Sequence, residues 1–295
     1  MWWLHRGVDG CLCCGSKRLD SDRTLTSLFL SRTAWRGRPE LTSIHRCLDC
    51  DFRFYDRGLS DGEAAAYYAA YRTSDYLQNR HADEPFYTRK VHAGIEEFLH
   101  APIRRKSLAQ ALGDATFDTV LDHGGGDGTL ISELRASRKA VFDIGGSAPI
   151  EGIESVADLR EEWDLVVCAQ TLEHVTDPLS TMQELMRITR PGGAIYLEVP
   201  NEIWRSAWSS RVLKRALLHV IAKSRWLFIA MDIYSTGFRI KTGVLPPLGF
   251  MPMREHLNYF TPEALAALAR RAGADVTSTG FNLTGEIVVV ARKPS

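Results

Sequence analysis

The chain lacks a net charge: 36 lysines and arginines balance 36 aspartates and glutamates over 295 residues. That balance removes the global pull expected of a nucleic-acid-binding domain, and no aromatic–basic stretch replaces it. No run of 18 apolar residues is present, so no spanning helix is expected. The opening Met1-Trp-Trp-Leu-His-Arg6 shows neither a long apolar core nor a cleavage pattern, so no secretory signal is read and a cytoplasmic setting is expected. Cysteine nearly vanishes after residue 50: five of the six lie at Cys11, Cys13, Cys14, Cys47 and Cys50, and Cys168 falls in an apolar run as plain core. A chain of this length can bury one large core or two smaller ones.

What the chain does have is the stretch Val120-Leu-Asp-His-Gly-Gly-Gly-Asp-Gly-Thr129. It reads as an apolar strand, an acid, a glycine-rich turn and a helix starting near Thr129. Asp122, Gly124, Gly126 and Gly128 fall at every second position, where missing Cβ atoms let the backbone turn sharply and approach a ligand. A second acid, Asp143, ends the next apolar stretch, about where a ribose-binding carboxylate is expected. The dinucleotide spacing G-x-G-x-x-G fails because Thr129 stands where its last glycine belongs.

With D-x-G-x-G-x-G in its place, the chain resembles the class I S-adenosylmethionine-dependent methyltransferases from roughly Phe117 to Lys293. The resemblance implies a doubly wound, Rossmann-like α/β sheet. It also implies that Asp122 and the glycine turn hold the methionyl end of S-adenosyl-L-methionine, and that Asp143 holds the ribose. Glu162 to Ala169 reads as a buried strand, so Gln170, Thr171 and His174 at its carboxyl end line the pocket. An amphipathic helix over Leu179–Thr189 is stopped by Arg190-Pro-Gly-Gly193, and a strand follows over Ala194–Val199. Thr261-Pro-Glu263 opens a helix through Ala272, and two strands finish the chain. Between Asp143 and the next strand the usual helix is shortened to almost nothing. Adenine contacts are expected around Glu154 and Ser155.

Cys11-Leu-Cys-Cys14 and Cys47-Leu-Asp-Cys50 form two C-x-x-C pairs, a four-sulfur set for a structural Zn2+ in a reducing compartment. Cys13 is an alternative ligand, and disulfides are the alternative chemistry. With the tyrosines Tyr67, Tyr68 and Tyr71 downstream, this region is similar to the N-terminal zinc-ribbon region of bacterial methyltransferases acting on sugars. The organisation expected is a zinc-ribbon-like module over 1–60, linking helices over 61–115, a methyltransferase domain over 116–200 and 255–295, and a lid or insertion over 201–254.

Within that insertion, Ser209 to Leu227 reads as one amphipathic helix. Arg211, Lys214, Arg215, His219 and Lys223 mark one face; Leu213, Ala216, Leu217, Val220, Ile221 and Leu227 mark the other. A lid, a dimer contact and a peripheral membrane contact through 209–229 all fit it. A hydroxyl acceptor needs a base, and His256 and His174 are the candidates. The activity implied is methyl transfer to a hydroxyl, or alternatively a carbon, of a sugar, nucleotide sugar or glycoconjugate. An RNA methyltransferase with a zinc module and a non-catalytic scaffold remain as rivals.

Overall fold

The structure is a computed structural model that describes residues 8–68 and 74–295. The chain opens with β1 (Leu19–Leu25), helix α1 (Leu28–Trp35), β2 (Leu41–Cys47) and β3 (Arg53–Tyr55). Among the described residues, helices α2 (Asp61–Tyr68), α3 (Ser74–Asp83), α4 (Arg89–His100) and α5 (Pro102–Leu112) follow. Tyr71 lies outside the described residues. The main sheet is then built from β4 (Thr119–His123), β5 (Arg138–Phe142), β6 (Glu154–Ser155), β7 (Trp163–Ala169), helix α6 (Pro178–Ile188) and β8 (Thr189–Val199).

The 201–254 stretch forms a helical hairpin. Short β9 (Arg205–Ser206) leads to α7 (Arg211–Ile221) and α8 (Arg225–Thr242), and β10 (Val244–Leu245) returns to pair with β9. The chain ends with β11 (Asn258–Tyr259), α9 (Pro262–Arg271), β12 (Asp275–Phe281) and β13 (Ile287–Arg292).

Seven strands run in the order β12-β13-β8-β7-β4-β5-β6. β6, β5, β4, β7 and β8 are parallel, while β13 lies antiparallel between β8 and β12. This is the mixed, doubly wound α/β sheet the sequence predicts. Chain order reverses direction between β4 and β7, so the carboxyl ends of those two strands open a crevice. Both faces are covered, which is why β7 and β13 are nearly continuous runs of buried apolar residues and β4 buries Val120 and Leu121 before Asp122.

A second sheet runs β1-β2-β3-β11. Its last strand comes from residues 258–259, more than 200 positions downstream of β3, so the cysteine-bearing segment and the distal chain share one ladder. Cys11, Cys47, Cys50, Phe52 and Phe54 join one buried cluster with Phe260 and the β7–β8 core.

Three local expectations are corrected. The helix after Gly128 is only a 3-10 turn, Thr129–Ile131, because β5 starts within ten residues and leaves no room for more. Arg190-Pro-Gly-Gly193 is not a free turn: it is an irregularity inside β8, where Trp163 pairs with Thr189 and Leu165 with Ala194. The helix expected over 209–227 is two helices. Ser210 caps the first and Ser224 the second, each side chain accepting a backbone N–H, so the chain breaks at residues 222–224.

The facing of α7 also differs. Lys214 is buried, with its ammonium on Asp22, and it points inward with Leu218 and Ile221. Leu213 and Val220 point outward and are exposed.

Candidate functional site

The glycine turn follows from the sequence residue by residue. β4 delivers Asp122 to the sheet's carboxyl edge, fully buried. Gly124, Gly126 and Gly128 all have positive φ, the left-handed region that favours glycine. A Cβ on Gly124 would collide with Thr171, and one on Gly128 would meet Ile153 at 2.9 Å. A Cβ on Gly126 would meet nothing within 4 Å, so that position faces open space. Gly125, which the alternating spacing leaves out, is equally constrained: a Cβ there would overlap the Asp122 carboxyl. The only sign of it in the sequence is the unbroken triplet 124–126.

Both carboxylate oxygens of Asp122 are buried without a hydrogen-bond partner among the described residues. Burial pushes this carboxyl up to about 7; the Arg104 cation opposes the shift, and Asp143 and Glu198 reinforce it. An orphaned acid beneath an open glycine turn suits a ligand that brings an ammonium, as the methionyl end of S-adenosyl-L-methionine does. Asp143 closes the turn from β5. Its Oδ2 accepts from the Gly126 N–H at 2.8 Å and its Oδ1 from the Gly145 N–H at 2.6 Å. Glu154 and Ser155 lie on the exposed edge strand, and the Glu154 carboxylate pairs with Arg138. Ile153, one residue earlier, is the side chain that reaches the turn.

The loop after β7 forms the opposite wall. Gln170 sits at φ 56°, a left-handed conformation unusual for a non-glycine residue. Its N–H donates to the Glu198 carbonyl at 2.8 Å, and its side-chain amide to the Glu198 carboxylate at 3.3 Å. Glu198 is fully buried and also accepts from Arg104, Tyr196 and Asn282, which fixes the end of β8. Thr171 packs under Gly124, its hydroxyl donating to the Ala169 carbonyl at 3.2 Å.

Three residues on, the two candidate bases meet. The rings of His174 and His256 lie edge to face, 4.7 Å between centroids. His256 Nδ1 bonds the Glu202 carboxylate at 2.6 Å, and His174 Nδ1 bonds the Glu255 carbonyl at 3.1 Å. Glu173 completes the cluster, 3.8 Å from His174 Nε2, its carboxylate buried and without a hydrogen-bond partner among the described residues. The Glu173 carbonyl accepts the backbone N–H groups of Leu257 and Asn258, and the Asn258 amide donates to Leu172 and Val175 carbonyls. These bonds lock the β7 loop against the 255–258 segment.

The electrostatics of this cluster are unequal. Burial lowers His174, and the nearby His256 cation lowers it further, to about 4. Burial opposes charging His256 too, but Glu202 beside it, with Glu255 and Glu173, pushes it up to about 9. Burial raises Glu173 to about 8 although the His256 cation acts against it. At neutral pH the pair is therefore a Glu202 carboxylate on a His256 imidazolium, next to a neutral His174. Reading the sequence alone misses Glu202, which belongs to no motif and is marked only by its place three residues past the end of β8.

Behind them, Glu255 is held ionised: burial opposes this, and Arg80 and the His256 cation overcome it. Tyr67 donates to Glu255 at 3.3 Å and contacts the Tyr76 hydroxyl at 3.0 Å. The Tyr68 ring stands edge-on to His174, 6.4 Å between centroids.

At the other end of the shared ladder, the Sγ atoms of Cys11, Cys14, Cys47 and Cys50 all lie within 4.8 Å of one another. All six cysteines are free. Cys13 is buried beside this set, and burial pushes its thiol up, so it stays protonated. Four converging thiols at two C-x-x-C turns fit a tetrahedral zinc.

Comparison with known proteins bears on the same region. The family described as a methyltransferase domain matches residues 89–279. A ubiquinone biosynthesis O-methyltransferase of Neisseria meningitidis is 25% identical over 185 residues, covering 54% of this chain and 65% of that protein. One of the same name from Pseudomonas paraeruginosa is 34% identical over 104 residues, covering 28% and 44%. The chain thus spans less than two thirds of the length of these relatives. Among solved structures, the N-methyltransferase NodS from Bradyrhizobium japonicum with S-adenosyl-l-homocysteine is 14% identical at a TM-score of 0.40, over 78% of this chain and 97% of that one.

Proposed function

The chain belongs to the methyltransferase-domain family, and on that premise we propose that it transfers a methyl group from S-adenosylmethionine to a hydroxyl of a sugar or glycoconjugate. The observation that carries the reading is the Glu202–His256 pair, 2.6 Å apart, beside His174 and beyond the glycine turn. Bound S-adenosylmethionine supplies an activated methyl on a sulfonium, so the protein must align the acceptor and remove its proton.

His256 is the base in this reading. Glu202 occupies Nδ1, which leaves Nε2 to take the hydroxyl proton, and the carboxylate stabilises the imidazolium that forms. Because that imidazolium is already favoured up to about 9, turnover rises with pH toward that value. Asp122, the glycine turn and Asp143 hold the donor, and Gln170 and Thr171 shape the wall between donor and acceptor. Glu154 and Ser155 stand at the adenine edge. The polar groups of Glu173, His174 and Tyr68 beside His256 suit an acceptor with several hydroxyls. The four cysteines hold one structural zinc.

The reading is tested by calorimetric titration with S-adenosylmethionine, with NAD as control, followed by an acceptor screen led by nucleotide sugars. Donor binding lost in Asp122→Asn, and turnover lost in His256→Ala with donor binding kept, are the expected results. A chain that binds no donor would leave the scaffold reading. A second reading, an acceptor from quinone biosynthesis, draws on the names of the relatives. A phenol is more acidic than a sugar hydroxyl, so near-normal turnover of such an acceptor by His256→Ala would favour it.

A further inference from the structure

We infer that the outer face of the α7–α8 hairpin is a docking surface for an anionic lipid bilayer. The first observation is where the charge sits. Residues 203–254 carry nine lysines and arginines and a single acid, Asp232, while the chain as a whole has 36 of each. Subtracting gives 27 cations and 35 acids for the remainder, so a neutral chain is split into a segment of +8 and a remainder of −8. Asp232 is buried and bound to Arg254, so it neutralises nothing on the surface. Arg205, Arg215, Lys223 and Lys241 are exposed and have no ion-pair partner among the described residues.

The second observation is what lies between those cations. Trp208 is 88% exposed, Val212 82%, Trp226 75% and Ile240 64%. On α7, Val212, Ala216 and Val220 recur every fourth residue beside Arg211, Arg215 and His219, so an apolar stripe and a cationic stripe share the solvent face. This follows directly from the inward turn of Lys214 and Leu218. Helices that lie in a bilayer interface combine these features: apolar and tryptophan side chains entering the headgroup boundary, with Lys and Arg on the phosphates. Among the described residues no helix is long and apolar enough to cross a membrane, so the hairpin would lie on the bilayer and not span it.

Charge complementarity selects the occupant. A second copy joined through the same face would set the unpartnered cations Arg205, Arg215, Lys223 and Lys241 of one copy against those of the other, which symmetric pairing cannot avoid. A nucleic acid would match the charge but leave the exposed tryptophans and branched aliphatics in water. An anionic membrane uses both. The hairpin leaves the core at Glu202 and returns at Glu255, so the docked face would put the proposed acceptor site near the lipid. That last step rests on the function proposed above; lipid binding does not.

The test is cosedimentation of the full chain with phosphatidylglycerol–phosphatidylcholine vesicles, against pure phosphatidylcholine. The expected result is binding that requires the anionic lipid, falls with salt, and shifts tryptophan emission to the blue. Arg215→Gln and Lys223→Gln should each weaken it by about fivefold. Trp208→Ala with Trp226→Ala should remove the emission shift, with thermal unfolding and donor binding unchanged. No binding to anionic vesicles would overturn the inference. So would a dimer in sedimentation that Trp208→Ala with Trp226→Ala abolishes, or a preference for single-stranded RNA over vesicles. Failed methyl transfer with intact vesicle binding would count against the proposed function alone.

Discussion

Glu202→Gln removes the charge that faces His256 and keeps the size of the side chain. The wild-type imidazole lies at about 9 against an ordinary value of 6.5. That difference favours the imidazolium by ~3 kcal/mol at 1.36 kcal/mol per pH unit. A quarter of the ring is exposed, so water screens part of the interaction. One carboxylate at this range moves a neighbour by roughly one to two units once that screening is allowed for. Glu255 and Glu173 keep acting on the ring, so His256 in the variant should titrate between about 7 and 8 rather than return to its ordinary value. His174 should not rise: near pH 4 His256 is charged in the variant as well, and the lost Glu202 carboxylate is one of the groups that raise His174, so its titration should fall slightly.

Histidine NMR titration reads both shifts without an acceptor, with His256→Gln protein assigning the signal. The stability effect has a definite sign. A histidine raised in the folded state contributes stability below its unfolded value and loses it as pH rises through the folded value. Glu202→Gln should therefore lower the unfolding temperature around pH 6 and have little effect around pH 10. An unmoved His256 titration, or an equal loss of stability at both pH values, would refute the dyad.

Asp122→Asn should weaken S-adenosylmethionine binding at least about tenfold, yet leave the ligand-free protein as stable or more stable near pH 8, since it removes an orphaned buried charge. The sign follows from the shift: a carboxyl raised from 3.8 to about 7 favours folding at low pH and loses that advantage as pH rises through about 7. Calorimetry and thermal unfolding across pH check both halves. Gly125→Ala should cost ~2 kcal/mol or more, because its methyl falls on the Asp122 carboxyl; denaturant unfolding measures it. Metal analysis should find one zinc per chain, absent in Cys14→Ser with Cys47→Ser, and chelation should lower the unfolding temperature.

The α/β succession of strands along the chain and the glycine turn were legible because their signals are local. A glycine at positive φ, an acid at a strand end and a four-sulfur spacing each depend on a few adjacent residues. The meeting of His174 with His256 was not legible, since one follows β7 and the other precedes β11, 82 positions later in the chain. What the sequence concealed depends on packing at a distance. Lys214 reads as a surface lysine until Asp22, from β1, is set opposite it. The helix after Gly128 has a helical pattern but too short a span before β5. Glu202 and Gly125 acquire meaning only from the atoms that approach them in space.

The cysteine set and the candidate base are physically continuous. β11 begins two residues after His256 and is hydrogen-bonded to β3, with Asn258 opposite Phe54 and Tyr259 opposite Arg53. The Thr261 hydroxyl donates to the Cys50 carbonyl at 2.7 Å, and Arg271 donates to the carbonyls of Cys11 and Leu12. On its other side the same segment is held by Glu173 and Asn258 against the β7 loop. His256 is thus clamped between the cysteine-bearing sheet and the donor-side loop, and β3, its support, has only three residues. A strand that short holds its register through what anchors its ends. A zinc at Cys47 and Cys50, just before β3, would do that, which gives a closed metal site with no open coordination position a direct part in placing the proposed base. Loss of zinc should then disturb the His256 titration before it disturbs donor binding at the glycine turn. The opposite order would separate the two sites.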